Sequence, residues 1–507
     1  METLVHNGVL VPRYQPRGFS LLVDGRRLQL SPGQEEMAVA WVKKLPTEYV
    51  KDPVFARNFF QDFSKALGLR EALAPESFDF SEVAAAVEQE RQAKLSLSKE
   101  ERRRLAAERK LQREANKAKY GYAFIDGVKV ELGNYVVEPS GIFMGRGKHP
   151  LRGRWKQGAT ERDITLNLSP GAPVPPGSWG EIVWEPGAMW IARWKDKLSD
   201  KMKYVWLSDT ALLKQRRDIE KFNMARELEA KIGAVRSHIE RNLVSPDPAR
   251  RKLATVSYLI DALKLRVGDE KDEDEADTVG ATTLRPEHIH FRPDGLTTFD
   301  FLGKDSVRLK VNVALPTAVA ENVKQFMAEA KSAIFEGVRS QNVSAFLGEV
   351  MPGLTAKVFR TYHASKAVKD YLDRNHLSPQ DHEQTKRYVA TMANLQAAIL
   401  CNHKRTVPKN WQESLAKKQE RLKKLDGQDT KRAREARMKL TYSVRTMKAS
   451  RDYNLRTSLK SYIDPRIYRD WGRKVGFDWK RYYPAALQRK FSWVDEPTAD
   501  RQDPNIP

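Results

Sequence analysis

The sequence is poor in the features that mark several common chemistries. A single cysteine, Cys401, rules out an intramolecular disulfide framework, excludes zinc sites built on paired cysteines and suits a reducing interior. No apolar run approaches the roughly 20 residues that a membrane-spanning helix needs. The opening METLVHNGVLVPRYQP has no apolar stretch of the kind a secretory leader carries. H-E-x-x-H does not occur, and GRGKHPLRG lacks the G-x-x-x-x-G-K-[ST] spacing of a phosphate loop. His288-x-His290 has strand spacing that would point both rings one way, but no third ligand, so it reads as a structural pair. The acidic run 269–277, within GDEKDEDEADTVG, lacks EF-hand spacing and reads as a solvated loop.

Positive charge, by contrast, is abundant. Against 66 Asp+Glu stand 89 Lys+Arg, a net +23 over 507 residues. Such an excess favours polyanionic partners through counterion release and steering. Apolar residues make up 40%, with 11 Trp, 16 Tyr and 19 Phe, enough for real cores, and the length calls for several domains. Composition therefore describes an intracellular nucleic-acid-binding protein.

Along the chain, residues 1–90 mix strand-like runs with a helical pattern in EEMAVAWVKKL; FSLLVDGRRLQL reads as a hairpin around Asp24-Gly25. Ser98-x-x-Glu101 is a capping box that opens a highly charged helix, about 98–119, read as a solvated connector between lobes. From Tyr120 to about Trp206, short runs alternate with Pro/Gly punctuation, as strands and loops do. From about Leu212 the pattern turns helical, interrupted by a β-hairpin, TTFDFLGKDSVRLKVNV. Trp411, Leu415, Leu422 and Leu425 form one apolar stripe, and Ala433, Ala436, Leu440, Val444 and Met447 form another. These predict an antiparallel helical hairpin with basic outer faces over about 410–452. A compact segment containing Tyr462, Trp471, Trp479 and Trp493 follows.

What could such a chain catalyse? Cleaving a phosphodiester without a metal requires neutralised non-bridging oxygens and a proton for the leaving 5′-oxygen. Arginines grip two oxygens at once, and a lysine whose pKa is lowered by burial and neighbouring arginines can give the proton. A histidine adds a donor, and a hydroxyl nucleophile keeps the bond for resealing. Spacing alone does not pick these residues from so many cations. For any one of them, a surface salt bridge or a nonspecific phosphate contact is the default.

Six stretches single them out: HNGVLVPRYQP, EPSGIFMGRGKHPLRG, LKLRVGDEKDEDEADTVGATTLR, FDFLGKDS, GLTAKVFRTYHAS with AILCNH, and SYIDPRI. On these the chain closely resembles the eukaryotic-type DNA topoisomerases I, the type IB family, over nearly its whole length. The resemblance implies catalytic arginines at Arg266 and Arg360, the histidine at His403, a general-acid lysine at Lys304 and the nucleophile at Tyr462. It implies DNA contacts at Arg146, Lys148, Asp305 and Lys460. A camptothecin-type drug pocket would be bordered by Phe143, Arg146, Asp305 and Ser461. His363, three residues after Arg360, has only a secondary claim on phosphate.

The implied fold is a multidomain α+β, bilobed DNA clamp. Its parts would be an N-terminal DNA-clamping lobe (1–211), a mainly helical catalytic lobe with a β-hairpin (212–406), a basic hairpin linker (407–452) and a C-terminal domain bearing the nucleophile (453–507). The implied activity is relaxation of positive and negative supercoils through a 3′-phosphotyrosyl intermediate and strand rotation, by a monomer on supercoiled duplex DNA, without ATP or metal. Two departures stand out: Met144 where an arginine is common, and Ser461 where an asparagine usually precedes the nucleophile. Ser461 predicts an active enzyme with a weak camptothecin response, contradicted by strong drug-trapped complexes in a plasmid nicking assay. The short linker predicts loose rotational control, contradicted by small, regulated numbers of turns per cleavage in single-molecule relaxation. A start almost at the core suits an archaeal member on the nucleoid, whereas eukaryotic members work in the nucleus. A tyrosine recombinase and a non-catalytic DNA-binding protein on the same scaffold are the alternatives.

Overall fold

The structure, a computed structural model, describes residues 1–145, 147–269 and 278–496, without the side chain of Asp305. It is an α+β multidomain chain whose contacts divide between Lys214 and Gln215 into two compact units.

In the first unit, turn chemistry sets the hairpins. Asp24 and Gly25 take φ of 47° and 78°, and Asp126 and Gly127 take 49° and 78°. Two successive positive φ angles give the tight turn whose twist matches paired strands, which is why Asp-Gly stands at both places. They join Ser20–Val23 to Arg26–Gln29 and Tyr122–Ile125 to Val128–Glu131. A four-stranded sheet runs in the order Glu181–Val183, Ile164–Asn167, Trp190–Lys195, Met202–Trp206, its first pair parallel and the rest antiparallel. Helices Pro32–Val42 and Pro53–Ala66 enclose an aromatic core of Trp41, Phe55, Phe59, Phe60 and Phe63. The capping box at Ser98 and Glu101 starts helix Lys99–Tyr120 as predicted, and the helix buries none of its residues. It joins helix Ser81–Ser96 to strand Tyr122–Ile125, so it connects elements of one unit rather than two lobes.

The second unit holds two cores. One is built on helices Leu212–Asn242, Pro248–Leu263, Thr317–Glu329 and Ser340–Gly348 and on an antiparallel sheet, Ile289–Phe291, Thr297–Gly303 and Val307–Val313. The other joins the later half of helix Ala356–Arg374 and helix Glu383–Leu400 to Tyr468, Trp471, Trp479 and Trp493 of the C-terminal segment. Each large apolar side chain so buried contributes about 1.5–3 kcal/mol. The segment bearing Tyr462 therefore shares a core with the helices that lead to Arg360 and His403.

The predicted hairpin is present as helices Trp411–Lys423 and Lys431–Ala449. Arg451 lies over the Trp411 ring at 5.5 Å and Lys418 Nζ donates to Ser443 Oγ at 2.5 Å, an antiparallel register. Tyr442 stacks on Tyr388 at 4.5 Å and docks the hairpin on helix Glu383–Leu400. His288 departs from its expected strand: it is buried at the end of the turn Pro286–His288, whereas His290 is exposed, so the two rings share no environment. Among the described residues, no three His, Cys, Asp or Glu cluster as metal ligands, and no helix is long and apolar enough to cross a membrane.

Candidate active site

Each candidate residue is placed by a local device. Helix Pro248–Leu263 ends at Lys264 in the left-handed region, φ 56°, which turns the chain so that Leu265 is buried and Arg266 half-buried. The next residues pair with a returning segment: Ala281 N–H donates to Arg266 O at 2.8 Å and Thr282 N–H to Val267 O at 2.7 Å. Between them Gly268 and Gly280 cross so closely that a Cβ on Gly280 would sit 2.5 Å from Gly268 Cα. Only glycines allow that approach, and they bring together the ends of the acidic run, whose residues 270–277 lie outside the described residues. Val279 N–H then donates to Leu302 O at 2.7 Å, tying this crossing to the hairpin strand that leads to Lys304.

Lys304 stands at the hairpin tip, in the short turn Lys304–Ser306, and is exposed. The burial expected of a proton-donating lysine is not supplied by its own chain, because the strands carry the tip out of the core.

Helix Glu383–Leu400 closes with a Schellman turn. Asn402 takes φ 52°, its N–H donates to Ile399 O at 2.9 Å, and the His403 N–H donates to Ala398 O at 2.9 Å. Asparagine tolerates the left-handed conformation such a turn needs, which accounts for Asn-His in AILCNH. Asn402 Nδ2 also donates to Arg308 O at 3.2 Å, binding this turn to the Lys304 hairpin.

Arg360 is buried, and its guanidinium donates to the carbonyl ends of two helices, Lys264 O at 2.6 Å and Cys401 O at 2.8 Å. Both are unpaired carbonyls at negative helix ends, which offset the charge of the arginine. Its Nε is buried and has no hydrogen-bond partner among the described residues.

Tyr462 ends helix Leu455–Ser461, its N–H donating to Ser458 O at 2.9 Å. The ring lies 5.0 Å from the His403 ring, and the Arg360 guanidinium carbon lies 5.2 Å from its centroid. Behind it, Ser365 Oγ donates to Tyr462 O at 3.2 Å and accepts from Asp464 N–H at 3.0 Å. Asp464 caps helix Pro465–Val475 and receives Arg466 Nη2 at 2.9 Å and Arg226 Nε at 3.0 Å. Arg466 is 1% exposed and also donates to Asn223 at 2.8 Å, so this neighbour of the tyrosine is a structural anchor, not a phosphate contact.

Arg266, Lys304, Arg360, Ser461 and Tyr462 line one cavity of about 870 Å³. His403 packs behind Arg360 and Tyr462. Burial, reinforced by the charges of Arg360 and Arg266, lowers its pKa to about 3 and keeps the ring neutral. His363 is held by Asp261 at 2.6 Å, a carboxylate that also takes Arg236 at 2.8 Å; its ring is committed to that pair. Lys460 is exposed, directly before the cavity residue Ser461 in its helix.

The remaining candidates belong to the first unit or fall outside the description. Phe143 packs edge-on against His149 at 4.8 Å, and Lys148 is exposed in the same loop. Met144 packs against the aromatic core, a use for which arginine would be unsuited. Arg146 and the Asp305 side chain lie outside what is described. Sequence reading missed Ser365 and Ser458, both of which touch the tyrosine segment or its histidine. For Ser458 a signal existed, since it stands one helical turn before Tyr462.

Comparison with known proteins points the same way as this geometry. Residues 1–207 match the DNA binding fragment of eukaryotic DNA topoisomerase I, residues 210–436 its catalytic core, and residues 432–502 a C-terminal topoisomerase domain. DNA topoisomerase 1 of Candidozyma auris is 39% identical over 84% of this chain and 58% of its own length. DNA topoisomerase 1 beta of Arabidopsis thaliana is 35% identical over 97% of this chain and 58% of its own. The mitochondrial DNA topoisomerase I of Rattus norvegicus is 31% identical over 97% of this chain and 91% of its own. The chain thus spans little more than half the length of the first two relatives. On these matches the chain belongs to the eukaryotic DNA topoisomerase I family.

Proposed function

We propose that the chain is a type IB DNA topoisomerase that relaxes positive and negative supercoils. The observation that carries this reading is the placement of the Tyr462 ring against a buried arginine and a neutral buried histidine, on the cavity that Arg266 and Lys304 also line. Tyr462 Oη attacks a backbone phosphorus, the bond to the 5′-oxygen breaks, and the phenol proton passes to water. Arg266 and Arg360 neutralise the non-bridging oxygens, with the Nε of Arg360, which has no partner among the described residues, as one donor to them. A neutral His403 adds an uncharged donor, and Lys304 protonates the leaving 5′-oxygen. A 3′-phosphotyrosyl bond holds the nick while the cut strand rotates, and the 5′-hydroxyl then reseals it. Torsion drives rotation and the covalent bond drives ligation, so the scheme calls for neither ATP nor metal.

Arg146, Lys148, Asp305 and Lys460 serve as DNA contacts in this reading. Ser461 lines the cavity wall beside Tyr462, so a camptothecin-type drug stacking there would meet no amide from this residue. In this reading the 1–211 and 212–406 lobes both bind duplex DNA. The 407–452 hairpin, with Arg421, Lys423, Lys424, Lys431, Arg432 and Arg434 exposed, brakes rotation and leads into the 453–507 domain. The protein acts as a monomer on chromosomal DNA, away from membranes. The test is relaxation of supercoiled plasmid in EDTA without ATP. Wild type is expected to relax it and Tyr462→Phe to be inactive; a wild type that leaves plasmid supercoiled refutes the proposal.

A further inference from the structure

His403 has one freedom left once it is neutral: which ring nitrogen carries the proton. Its Nδ1 lies 2.7 Å from the Oγ of Ser458, and Ser458 is fully buried. Among the described residues, that nitrogen is the one hydrogen-bond partner of the Ser458 hydroxyl. If Nδ1 held the ring proton, it would donate to Oγ and leave the serine O–H without an acceptor in a dry site, the costlier arrangement. If the serine O–H donates to Nδ1, both groups are satisfied and the ring proton sits on Nε2. The competing contact is weaker: Arg360 Nη2 lies 3.5 Å from Nε2, at the edge of hydrogen-bond range, and already donates to Cys401 O at 2.8 Å.

We infer that Ser458 is a positioning residue: by donating to His403 Nδ1 it fixes the ring as the Nε2–H tautomer and presents a donor, not a lone pair, beside Arg360. The same residue sets the register of the nucleophile. Its carbonyl accepts the N–H of Tyr462 at 2.9 Å and of Ile463 at 3.1 Å, while its hydroxyl reaches the histidine turn. One turn further back, Asn454 N–H donates to His403 O at 2.7 Å. The tyrosine helix and His403 are therefore joined at two points, and the partner on one ring nitrogen decides what the other can do. This inference rests on the topoisomerase reading.

The test is single-turnover cleavage of a nick-trapping duplex by Ser458→Ala, Ser458→Thr, His403→Gln and the double variant His403→Gln/Ser458→Ala. Loss of an orienting partner is expected to slow cleavage by about 10–100-fold in Ser458→Ala, with duplex binding unchanged and the thermal midpoint lowered modestly, because the buried Nδ1 loses its donor. Ser458→Thr, which keeps the hydroxyl, should restore the rate to within about threefold of wild type. In the His403→Gln background, Ser458→Ala should cost less than about twofold, because the two act as a unit. Cleavage by Ser458→Ala at the wild-type rate, or a full further loss in the double variant, overturns the inference. Imidazole ¹⁵N shifts of His403 in the unaltered protein need no variant: a protonated Nε2 is expected, and a protonated Nδ1 overturns it. A wild type that forms no tyrosyl adduct on the duplex refutes the topoisomerase reading and this inference with it. Normal wild-type cleavage with an indifferent Ser458→Ala removes only the role of Ser458.

Discussion

Arg360 and Lys304 line the same cavity, yet the fold treats them in opposite ways. Arg360 is buried, clamped to two helix ends, and packed against a tyrosine and a neutral histidine. Lys304 sits exposed on a hairpin tip. The difference follows from what each group is proposed to do. A phosphate is charged throughout the reaction, so the groups that grip it can be fixed in advance by packing. A lysine that must surrender a proton needs a dry setting only while the leaving oxygen is beside it, and the arriving duplex can supply that.

If this contrast is real, the buried side should carry stability and the tip should carry almost none. The largest effect is expected at the anchor behind the nucleophile. Asp464→Ala leaves the Arg466 guanidinium buried without its carboxylate, and uncompensated buried charges of this kind cost about 3–5 kcal/mol. Denaturant unfolding should show that loss; a change under 1 kcal/mol on the same order-of-magnitude scale would mean the tyrosine segment is held by its apolar core alone.

A smaller effect comes from pH. Burial lowers the pKa of His403 to about 3 and that of His6 to about 4, against 6.5 for an ordinary histidine. Below pH 6.5 the unfolded chain takes up protons that the folded chain refuses, so stability is full above that pH and falls as the medium is acidified. The loss should be on the order of 2 kcal/mol per histidine at pH 5. His403→Gln should remove its share of this slope, measured by unfolding at pH 7 and pH 5, whereas Lys304→Ala should leave the slope intact.

The smallest effect belongs to the tip itself. Lys304→Ala should change stability by less than about 0.5 kcal/mol, as exposed substitutions usually do, while slowing cleavage by about 10²–10⁴-fold. A large drop in thermal midpoint would show that Lys304 is packed and that the contrast with Arg360 is false.

The contrast also marks where sequence was sufficient and where it was not. Local chemistry was legible: Asp24-Gly25 made its turn, Ser98 and Glu101 capped their helix, and the Thr297–Val313 hairpin and the 411–449 helical pair formed where their patterns placed them. The five proposed catalytic residues came from motif resemblance, since the distant segments carrying Arg266, Lys304, Arg360, His403 and Tyr462 have no local pattern in common. What stayed hidden was long-range. Arg466 stands four residues after the tyrosine with nothing local to set its role, and its fate depends on Asp464 and on Asn223, which lies far back in the chain. His288 and His290 fit a strand by spacing, but a proline-led turn at Pro286–His288 took the first of them. The two glycines bounding the acidic run gave no hint that their backbones cross. Ser365 and Ser458 were unremarkable hydroxyls until the fold brought each to the tyrosine segment or its histidine.

The division of labour between Arg360 and Lys304 is tested most directly with a duplex carrying sulfur in place of the bridging 5′-oxygen at the cleavage site. A thiol, with a pKa near ~8.5, leaves as the thiolate and needs no proton from the enzyme. Cleavage of this duplex by Lys304→Ala should recover to within about tenfold of wild type, while Arg360→Ala should remain slow, because phosphate neutralisation is still required. Failure of sulfur to restore Lys304→Ala, or equal rescue of Arg360→Ala, would contradict the assignment of proton donor to the exposed tip and phosphate grip to the buried arginine.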